Sequence, residues 1–401
     1  MKPKVVIIGH GWLSRLSLIR SVAEAGCEVT VVVMTVPFAP GKNPHKPIDC
    51  YSKYVSRYYY CVRKDRDALI SLLIDKCSDP MQKVILIPDG DDVVSNIDNH
   101  KDQLKDYFIF PYIAKEPSSI DYWMDKSNQK MLAKAIGLNV ASDSIVEIKD
   151  GQYTIAEDIH YPCFPKPVAT RVGGKGGMRR CNNREELESA IDFLVNKRSR
   201  DIKVMVEEYK HIDTEYAVLG FSDGHNVVIP GIIQFLAASK AHTGIALQGK
   251  VRPVDGFETV VEQFRQLITR IGFVGLFDID FYRSKNTIYF CELNLRYGGS
   301  GYAITKMGVN LPAMMVEYFS GEAVAGMNNA INGEAVFVND RMNFDDLNSG
   351  FITYSDYHSY IESSQIRFIS DADDSRPERA YNKEYRKRIP INLVKRAVRA
   401  K

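Results

Sequence analysis

The segment from Asp278-Ile279-Asp280-Phe281 to Glu292-Leu293-Asn294-Leu295-Arg296 alternates polar and apolar residues in two successive runs. Such alternation predicts a β-hairpin, because residues two apart on a strand share one face. The three polar residues of the second run would then lie together, with Asp280 beside them on the paired strand. Oxygen ligands from Asp, Glu and Asn next to a cation suit a Mg²⁺ ion that carries nucleotide phosphates. The alternative, a solvated face of a sheet, explains the polar positions less well.

The residues after this hairpin, Gly298-Gly299-Ser300-Gly301, precede an apolar helix that starts near Ala303. Free backbone amides at a helix N-terminus favour an anion such as a carboxylate. The segment therefore predicts a substrate-binding site at Gly298, Gly299 and Ser300. A plain flexible connection between strand and helix is the alternative.

A second glycine-rich segment follows the strand Phe164-Pro165-Lys166-Pro167. Its centre, Gly173-Gly174-Lys175-Gly176-Gly177, has few side chains, and its amides can surround phosphate oxygens. Lys166 and Lys175 would add positive charge to such a phosphate site. The segment lacks the Gly-Lys-Ser/Thr sequence that opens a helix in a P-loop, so a mobile hairpin turn is an equal alternative.

Acidic residues end a third apolar strand, which runs from Val204 into Glu207-Glu208-Tyr209, and Glu215 begins the next strand. Carboxylates accept hydrogen bonds, so these could bind an adenine amino group or ribose hydroxyls. Taken alone, the residues are explained equally well as ordinary surface acids.

In order along the chain, Lys126 at a helix start, Lys166, the strand-end acids and the hairpin 278–296 resemble the ATP-grasp superfamily over about residues 116–320. This resemblance implies a two-lobed ATP-grasp, with a small lobe at 116–205 that carries the glycine-rich loop and a large lobe at 206–330. One departure is Leu295, where the family often has proline.

Within the superfamily, the chain looks most like the D-aspartate ligase type of carboxylate-amine ligase. The likeness lies in residues 87–92, 107–112 and 124–126. Similarity also extends to the carbamoyl-phosphate synthase large subunit, notably at His242-Thr243-Gly244.

The resemblance implies ATP and Mg²⁺, or Mn²⁺ in its place, as cofactors. It gives catalytic roles to Arg296 and Lys166, which would stabilise the phosphoryl group in transfer. His242 and Arg252 stand where related enzymes place active-site and substrate residues. The remaining implied contacts are phosphate binding by Lys126, Lys166 and residues 173–177, adenine binding by Glu207, Glu208 and Tyr209, ribose binding by Glu215, and metal ligation by Asp280, Glu292 and Asn294.

The function implied by the resemblance is ATP-dependent joining of a small carboxylic acid, an amino acid by preference, to an amine through an acyl phosphate. One alternative is an enzyme of the carbamoyl-phosphate synthase or carboxylase type, which phosphorylates bicarbonate or another acid. Another is a nucleotide-binding regulatory protein without turnover, which would have less need of the complete set from Asp280 to Arg296.

The N-terminal residues 1–115 predict an open parallel α/β domain, so the fold class expected is α/β plus α+β. Apolar residues Val5 to Ile8 form a buried strand, and helical spacing of apolar residues follows the glycines. The turn Gly9-His10-Gly11 resembles part of a dinucleotide fingerprint, but Ser14 replaces its third glycine and no acid ends the second strand. An NAD-dependent oxidoreductase is therefore disfavoured.

Composition and charge bound the remaining function classes. The 401 residues are 45% hydrophobic with a net charge of +2, which is typical of a globular protein and argues against nucleic-acid binding by the chain as a whole. Seven scattered cysteines, with no C-x-x-C pair, indicate a reducing, cytoplasmic location, and no stretch is long enough for a membrane span.

The last predicted segment, residues 331–401, is a C-terminal extension with a basic tail. From Lys383 to Lys401 it carries eight cations and one acid, so it could touch an anionic surface or acceptor, although a solvated helix is the commoner explanation. The aromatic and basic segment 51–58 could face a substrate or pack normally. The expected partners are small-molecule acid and amine substrates, with a homodimer as the oligomeric state considered.

Overall fold

The computed structural model describes residues 2–37, 45–63, 65–168, 178–197, 201–242, 244–324, 326 and 329–385. The predicted glycine-rich loop 173–177, Thr243 and the basic tail beyond residue 385 lie outside the described residues. The helices are α1 (Trp12–Glu24), α2 (Arg66–Leu72), α3 (Asp91–Asn99), α4 (Lys101–Leu104), α5 (Ile120–Trp123), α6 (Lys126–Ala135), α7 (Arg184–Lys197), α8 (Glu258–Ile271), α9 (Gly301–Lys306), α10 (Leu311–Phe319), α11 (Asp340–Ser349), α12 (Tyr354–Glu362) and α13 (Arg376–Glu384).

The strands belong to three sheets. They are β1 (Lys4–Gly9), β2 (Glu28–Thr35), β3 (Val55–Val62), β4 (Val84–Asp89), β5 (Phe108–Ile109), β6 (Tyr112–Ile113), β7 (Asp143–Ile148), β8 (Cys163–Pro167), β9 (Ile202–Glu208), β10 (Thr214–Asp223), β11 (Val227–Val228), β12 (Ile232–Ala238), β13 (Ala246–Arg252), β14 (Phe273–Ser284), β15 (Thr287–Asn294), β16 (Ala335–Val338) and β17 (Ile366–Arg367). Short 3₁₀ and π-helical turns occur at Ile48–Tyr51 and Leu73–Cys77.

The N-terminal sheet is parallel and has the strand order β3-β2-β1-β4-β5. The residues Val5 to Ile8 of its central strand β1 are all apolar because helices cover both faces of the sheet. Val5 and Ile7 belong to one buried cluster, whereas Val6 and Ile8 belong to another. The predicted open parallel α/β domain is confirmed. The strand order changes direction beside β1, so a crevice is expected outside the carboxyl ends of β1 and β4.

The large sheet has the order β15-β14-β10-β12-β13-β16-β17, with β11 and β6 pairing at its side. Strands β14 and β15 form the predicted hairpin, in which Asp280 lies opposite Glu292 and Asp278 lies opposite Asn294. The register shifts just after Asp280, so Cys291 is the extra residue of a β-bulge. Helix α8 covers one face of the sheet through a buried aromatic and aliphatic cluster.

The small sheet, β7-β9-β8, is antiparallel and packs against α7. Leu187, Ile191 and Leu194 on one side of α7 are fully buried against apolar residues of this sheet. These residues recur at spacings of three and four, which places them on one stripe of the helix. The sheet presents the ends of β8 and β9 towards the β14–β15 hairpin.

The segment after residue 330 contributes directly to the large sheet, because β16 pairs with β13 and β17 pairs with β16. The same segment contacts α1, where buried Arg20 donates hydrogen bonds to the carbonyls of Phe368 and Ile369 and pairs with Asp374 at 3.1 Å. The large sheet therefore includes strands from outside 206–330. The boundaries after residues 115, 205 and 330 remain predictions. Within the described ranges, every helix is too short or too polar to cross a membrane.

Candidate active site

The β14–β15 hairpin brings together the three side chains predicted to bind a metal. Asp280 and Glu292 are directly opposite each other, and the Asn294 amide nitrogen lies 3.5 Å from a carboxylate oxygen of Asp280. Mg²⁺ is commonly held by one or two carboxylates and completes its coordination with phosphate oxygens and water. Two carboxylates and one amide oxygen fit that chemistry. In the part of the chain that the structure describes, no group of three or more His, Cys, Asp or Glu residues forms an all-protein metal site.

Lys126 joins helix α6 to this hairpin by pairing with Glu292. Asp125 caps the helix by accepting hydrogen bonds from the backbone amides of Ser127 and Asn128. Burial raises the pKa of Glu292, but the cations Lys126, Lys166 and Arg296 together outweigh burial, and the net pKa is lowered. Glu292 therefore stays ionised, as a metal ligand must.

Glu207 lies between two buried lysines at the end of β9. Its carboxylate oxygens are 2.8 Å from the Lys166 ammonium and 2.6 Å from the Lys130 ammonium. Burial disfavours the charged forms of both Lys166 and Glu207. Glu207 nevertheless raises the pKa of Lys166, and the two lysines lower the pKa of Glu207. The arrangement fixes a permanently charged Lys166 inside the cleft. The adenine contact of Glu207 remains a prediction. In this structure its carboxylate pairs with the two lysines.

Lys130 is a candidate site residue that the sequence motifs do not include. The spacing of the apolar residues Met131, Leu132 and Ala135 predicts that they share the packed face of α6, but Met131 is 60% exposed. The helix instead buries Lys126, Gln129 and Lys130, together with Ala133. Lysines four residues apart lie on the same helix face, and that spacing was the available signal.

Gln129 explains how α6 docks against the hairpin. Its side-chain amide donates to the carbonyl of Leu293 at 2.8 Å and accepts from the amide of Leu293 at 3.0 Å. Strand β15 lies at the edge of the large sheet, so these bonds satisfy backbone groups that no neighbouring strand reaches. This contact holds Lys126 beside Glu292.

The predicted nucleoside-binding residues lie around the ends of β9 and the start of β10. Glu208 pairs with Lys210 at 2.6 Å, and the Arg180 guanidinium lies 4.9 Å from the centre of the Tyr209 ring. Glu215 sits opposite Tyr282 in the register of β10 and β14. Their contacts with adenine and ribose remain predictions.

Arg296 connects the hairpin to the N-terminal domain. Its guanidinium Nε lies 2.8 Å from a carboxylate oxygen of Asp91, the first residue of α3, and its Nη1 lies 3.9 Å from Asp278. Burial opposes the charge, but these carboxylates raise the pKa of Arg296. Burial also raises the pKa of Asp278 to about 6, although Arg296 acts in the opposite direction.

The predicted substrate loop is shaped by a close approach of Gly298 to Asp278. A Cβ atom on Gly298 would lie 2.5 Å from a carboxylate oxygen of Asp278. Around Gly299, by contrast, the described residues leave open space. Ser300 precedes α9, which is six residues long, and makes no side-chain capping bond there.

We expect Gly298→Ala to lower kcat/KM for ADP release by about tenfold to a hundredfold, the scale expected when a catalytic group is misplaced by about 1 Å. The new methyl group would force Asp278 away from its position beside Arg296. Glu262→Ala on α8 is the control, and its kcat/KM should stay within about twofold, since 58% of the Glu262 side chain is exposed. Equal activity in the two variants would contradict the role given to this contact.

The described contacts of His242 and Arg252 are with residues other than Lys166 and Glu292. The His242 ring nitrogen Nε2 lies 2.9 Å from Asp345 of α11, which also pairs with Arg341. Arg252 lies 3.8 Å from Glu334 and 5.8 Å from the centre of the Phe257 ring. No contact among the described residues joins either side chain to Lys166 or Glu292, and their roles remain predictions.

A model of the ATP-grasp domain matches residues 131–310 of this chain. The carbamoyl phosphate synthase large chain of Halomonas eurihalina is 25% identical over 219 residues, which are 54% of this chain and 20% of that protein. The chain therefore spans about a fifth of the length of the curated large chains it matches.

Two solved structures are similar over most of the chain. The L-amino acid ligase of Bacillus licheniformis has a TM-score of 0.60 and 18% identity, covering 84% of this chain and 79% of its own. The biotin carboxylase domain dimer of the 2-oxoglutarate carboxylase of Hydrogenobacter thermophilus, in complex with MgADP, ADP and bicarbonate, has a TM-score of 0.63 and 19% identity, covering 84% and 74%. These likenesses show a shared fold. Residues 131–310 are therefore the part of the chain that is similar to the ATP-grasp domain.

Proposed function

We propose that this protein is an ATP- and Mg²⁺-dependent carboxylate-amine ligase. It would activate a small carboxylic acid as an acyl phosphate and join it to an amine, with release of ADP and phosphate. The observation that carries the proposal is the buried arrangement of Lys166 on Glu207 and Lys126 on Glu292, in and next to the residues that match the ATP-grasp model. Lys126 pairs with Glu292, a carboxylate that would hold a nucleotide-bound metal, and Lys166 also interacts electrostatically with Glu292.

Activation of the acid is the step for which this arrangement is suited. A carboxylate oxygen attacks the γ-phosphorus of ATP in line, the bond to the bridging oxygen breaks, and ADP leaves. Lys166 and Arg296 would stabilise the negative charge on the phosphoryl group in transfer, and their positions are already fixed by Glu207 and Asp91. A Mg²⁺ ion held by Asp280, Glu292 and Asn294 would neutralise phosphate charge.

Amide formation then follows at the acyl carbon. A neutral amine attacks this carbon, the carbon-oxygen bond to phosphate breaks, and the amine proton passes to solvent or phosphate. The acyl phosphate hydrolyses if water reaches it, so the site must exclude water during this step. Helix α6 closes one side of the cleft, with Lys126 and Lys130 buried there.

The test is ADP release by the purified protein with pairs drawn from a panel of amino acids and amines, followed by mass spectrometry of the products. We expect at least one pair to release ADP and to yield a condensed product with an amide bond. Absence of ADP release with every pair would overturn the proposal.

The carboxylase alternative has one observation in its favour, the likeness to the biotin carboxylase domain and to carbamoyl phosphate synthase. The same experiment separates the two functions. ADP release that requires bicarbonate and gives no condensed product would favour phosphorylation of bicarbonate over amide synthesis.

A further inference from the structure

Polar side chains lie where the N-terminal sheet meets the β14–β15 hairpin, at the crevice that the strand order predicts. Its floor is the carboxyl ends of β1 and β4, where Gly9 lies opposite Asp89. A Cβ atom on Gly9 would lie 2.6 Å from the carbonyl oxygen of Asp89, so the two strands approach closely here. Arg296 reaches this crevice from the hairpin side and pairs with Asp91.

The crevice contains more carboxylates than cations. Arg296 pairs with Asp91, and Arg63 pairs with Asp92, which also accepts a hydrogen bond from His10. Two further carboxylates belong to the group, namely Asp89 and Asp278. Both act on Arg296 electrostatically, which places them in its neighbourhood. Arg15 also acts on Asp89 and is itself paired with Asp49 at 2.8 Å. Five carboxylates therefore stand against three guanidinium groups among the described residues.

The carboxylates of Asp89 and Asp278 are not fully hydrogen-bonded among the described residues. Asp89 is buried, and the only hydrogen bond to its carboxylate in the described structure comes from the uncharged hydroxyl of Ser14 at 2.6 Å. Asp278 is 91% buried, since its relative exposure is 9%, and its Oδ1 has no hydrogen-bond partner. Its other oxygen, Oδ2, lies 3.9 Å from the Arg296 guanidinium, which is too far for a hydrogen bond. A buried acceptor without a donor is costly, so a ligand donor is expected at this position.

The charge excess indicates a cation, and the unpaired Oδ1 of Asp278 calls for a hydrogen-bond donor. A primary ammonium group is both, since it offers three hydrogen-bond donors and one positive charge. We propose that the crevice binds the ammonium group of the substrate whose carboxylate is activated, with Asp278 and Asp89 as its acceptors.

This inference rests on the proposed function and narrows its substrate to an amino acid. The activated carboxylate must lie beside Arg296, and the α-ammonium group of an amino acid is only a few bonds from its carboxylate. An ammonium held by two carboxylates keeps its proton and cannot act as the nucleophile. The crevice would thereby stop the activated amino acid from supplying the attacking amine.

The test compares each amino acid with its analogue lacking the amino group, namely alanine with propionate, aspartate with succinate and glutamate with glutarate. For the amino acid used, we expect kcat/KM for ADP release to exceed that of its analogue by about tenfold or more, as for loss of a hydrogen bond to a charged group. Asp278→Asn and Asp89→Asn should each bring this ratio towards one. The exposed Asp102→Asn on α4 is the control and should keep the wild-type ratio.

Binding is measured separately by the shift in melting temperature in the presence of Mg²⁺ and a non-hydrolysable ATP analogue. ADP release without preference for the amino group would overturn this inference and leave the ligase proposal standing. Amino-dependent binding without any ADP release would overturn the ligase proposal and support the ammonium site. Neither binding nor turnover would overturn both. Because each Asn variant is tested independently, failure of one to fold leaves the other decisive.

Discussion

The Glu292→Gln variant is expected to release ADP about a hundredfold to a thousandfold more slowly than the wild type, the range for removing one group that stabilises transition-state charge. Glutamine keeps the shape of the side chain but loses its charge. Lys126 would lose its ion-pair partner, and the metal would lose one of the two hairpin carboxylates. The measurement is a coupled assay of ADP release at saturating ATP and varied Mg²⁺.

A matched change at Glu262 tests whether the effect belongs to the site. Glu262 lies on α8, has 58% of its side chain exposed and contacts only Arg265 at 3.4 Å among the described ion pairs. Glu262→Gln should keep ADP release within about twofold of wild type, as surface substitutions usually do. Unchanged ADP release by the Glu292→Gln variant would show that the hairpin is not the metal and phosphate site. The reaction would then have to take place elsewhere in the protein.

The hairpin and the N-terminal sheet could be predicted because their signals are local. Alternation of polar and apolar residues between Asp278 and Arg296 specifies which side chains share a face, and the register confirms it. The continuous apolar run from Val5 to Ile8 specifies a strand buried on both faces. In both cases a few neighbouring residues contain the information.

The contacts that complete the site are not local, and the sequence does not mark them. Asp91 and Arg296 are 205 positions apart, and nothing near either residue indicates its partner. Helix α6 differs from its sequence pattern for a related reason. Its apolar spacing predicts an apolar buried face, whereas the helix buries lysines because Glu207 and Glu292 compensate their charge.

The described contacts of His242 and Arg252 show the same limit. Both were placed by resemblance near the substrate, but His242 contacts Asp345, and Arg252 lies near Glu334. These partners come from the segment after residue 330, which the resemblance does not cover. A motif locates a residue along the chain, but the side chains around it come from the whole fold.

Replacement of Glu207 by alanine should lower the free energy of unfolding by about 3–5 kcal/mol, the cost of leaving a buried charge without its partner. Lys166 would lose its carboxylate, whereas Lys130 would keep Asp143 at 3.0 Å. Urea unfolding at pH 7 measures the difference. Glu208→Ala is the neighbouring control, since Glu208 is 37% exposed and pairs with Lys210, and it should cost less than about 1 kcal/mol.

The pH dependence and a double variant distinguish charge from packing at Glu207. The lysines lower the pKa of Glu207 below its usual value of 4.5, so its contribution is complete above that pH and is lost as the pH falls through the folded-state value. The stability gap between wild type and Glu207→Ala should therefore narrow in acid. The double variant Lys166→Met with Glu207→Leu should recover stability, because apolar side chains can replace a buried pair, but it should not release ADP. A gap that is constant with pH would assign the loss to packing and contradict the ion-pair explanation.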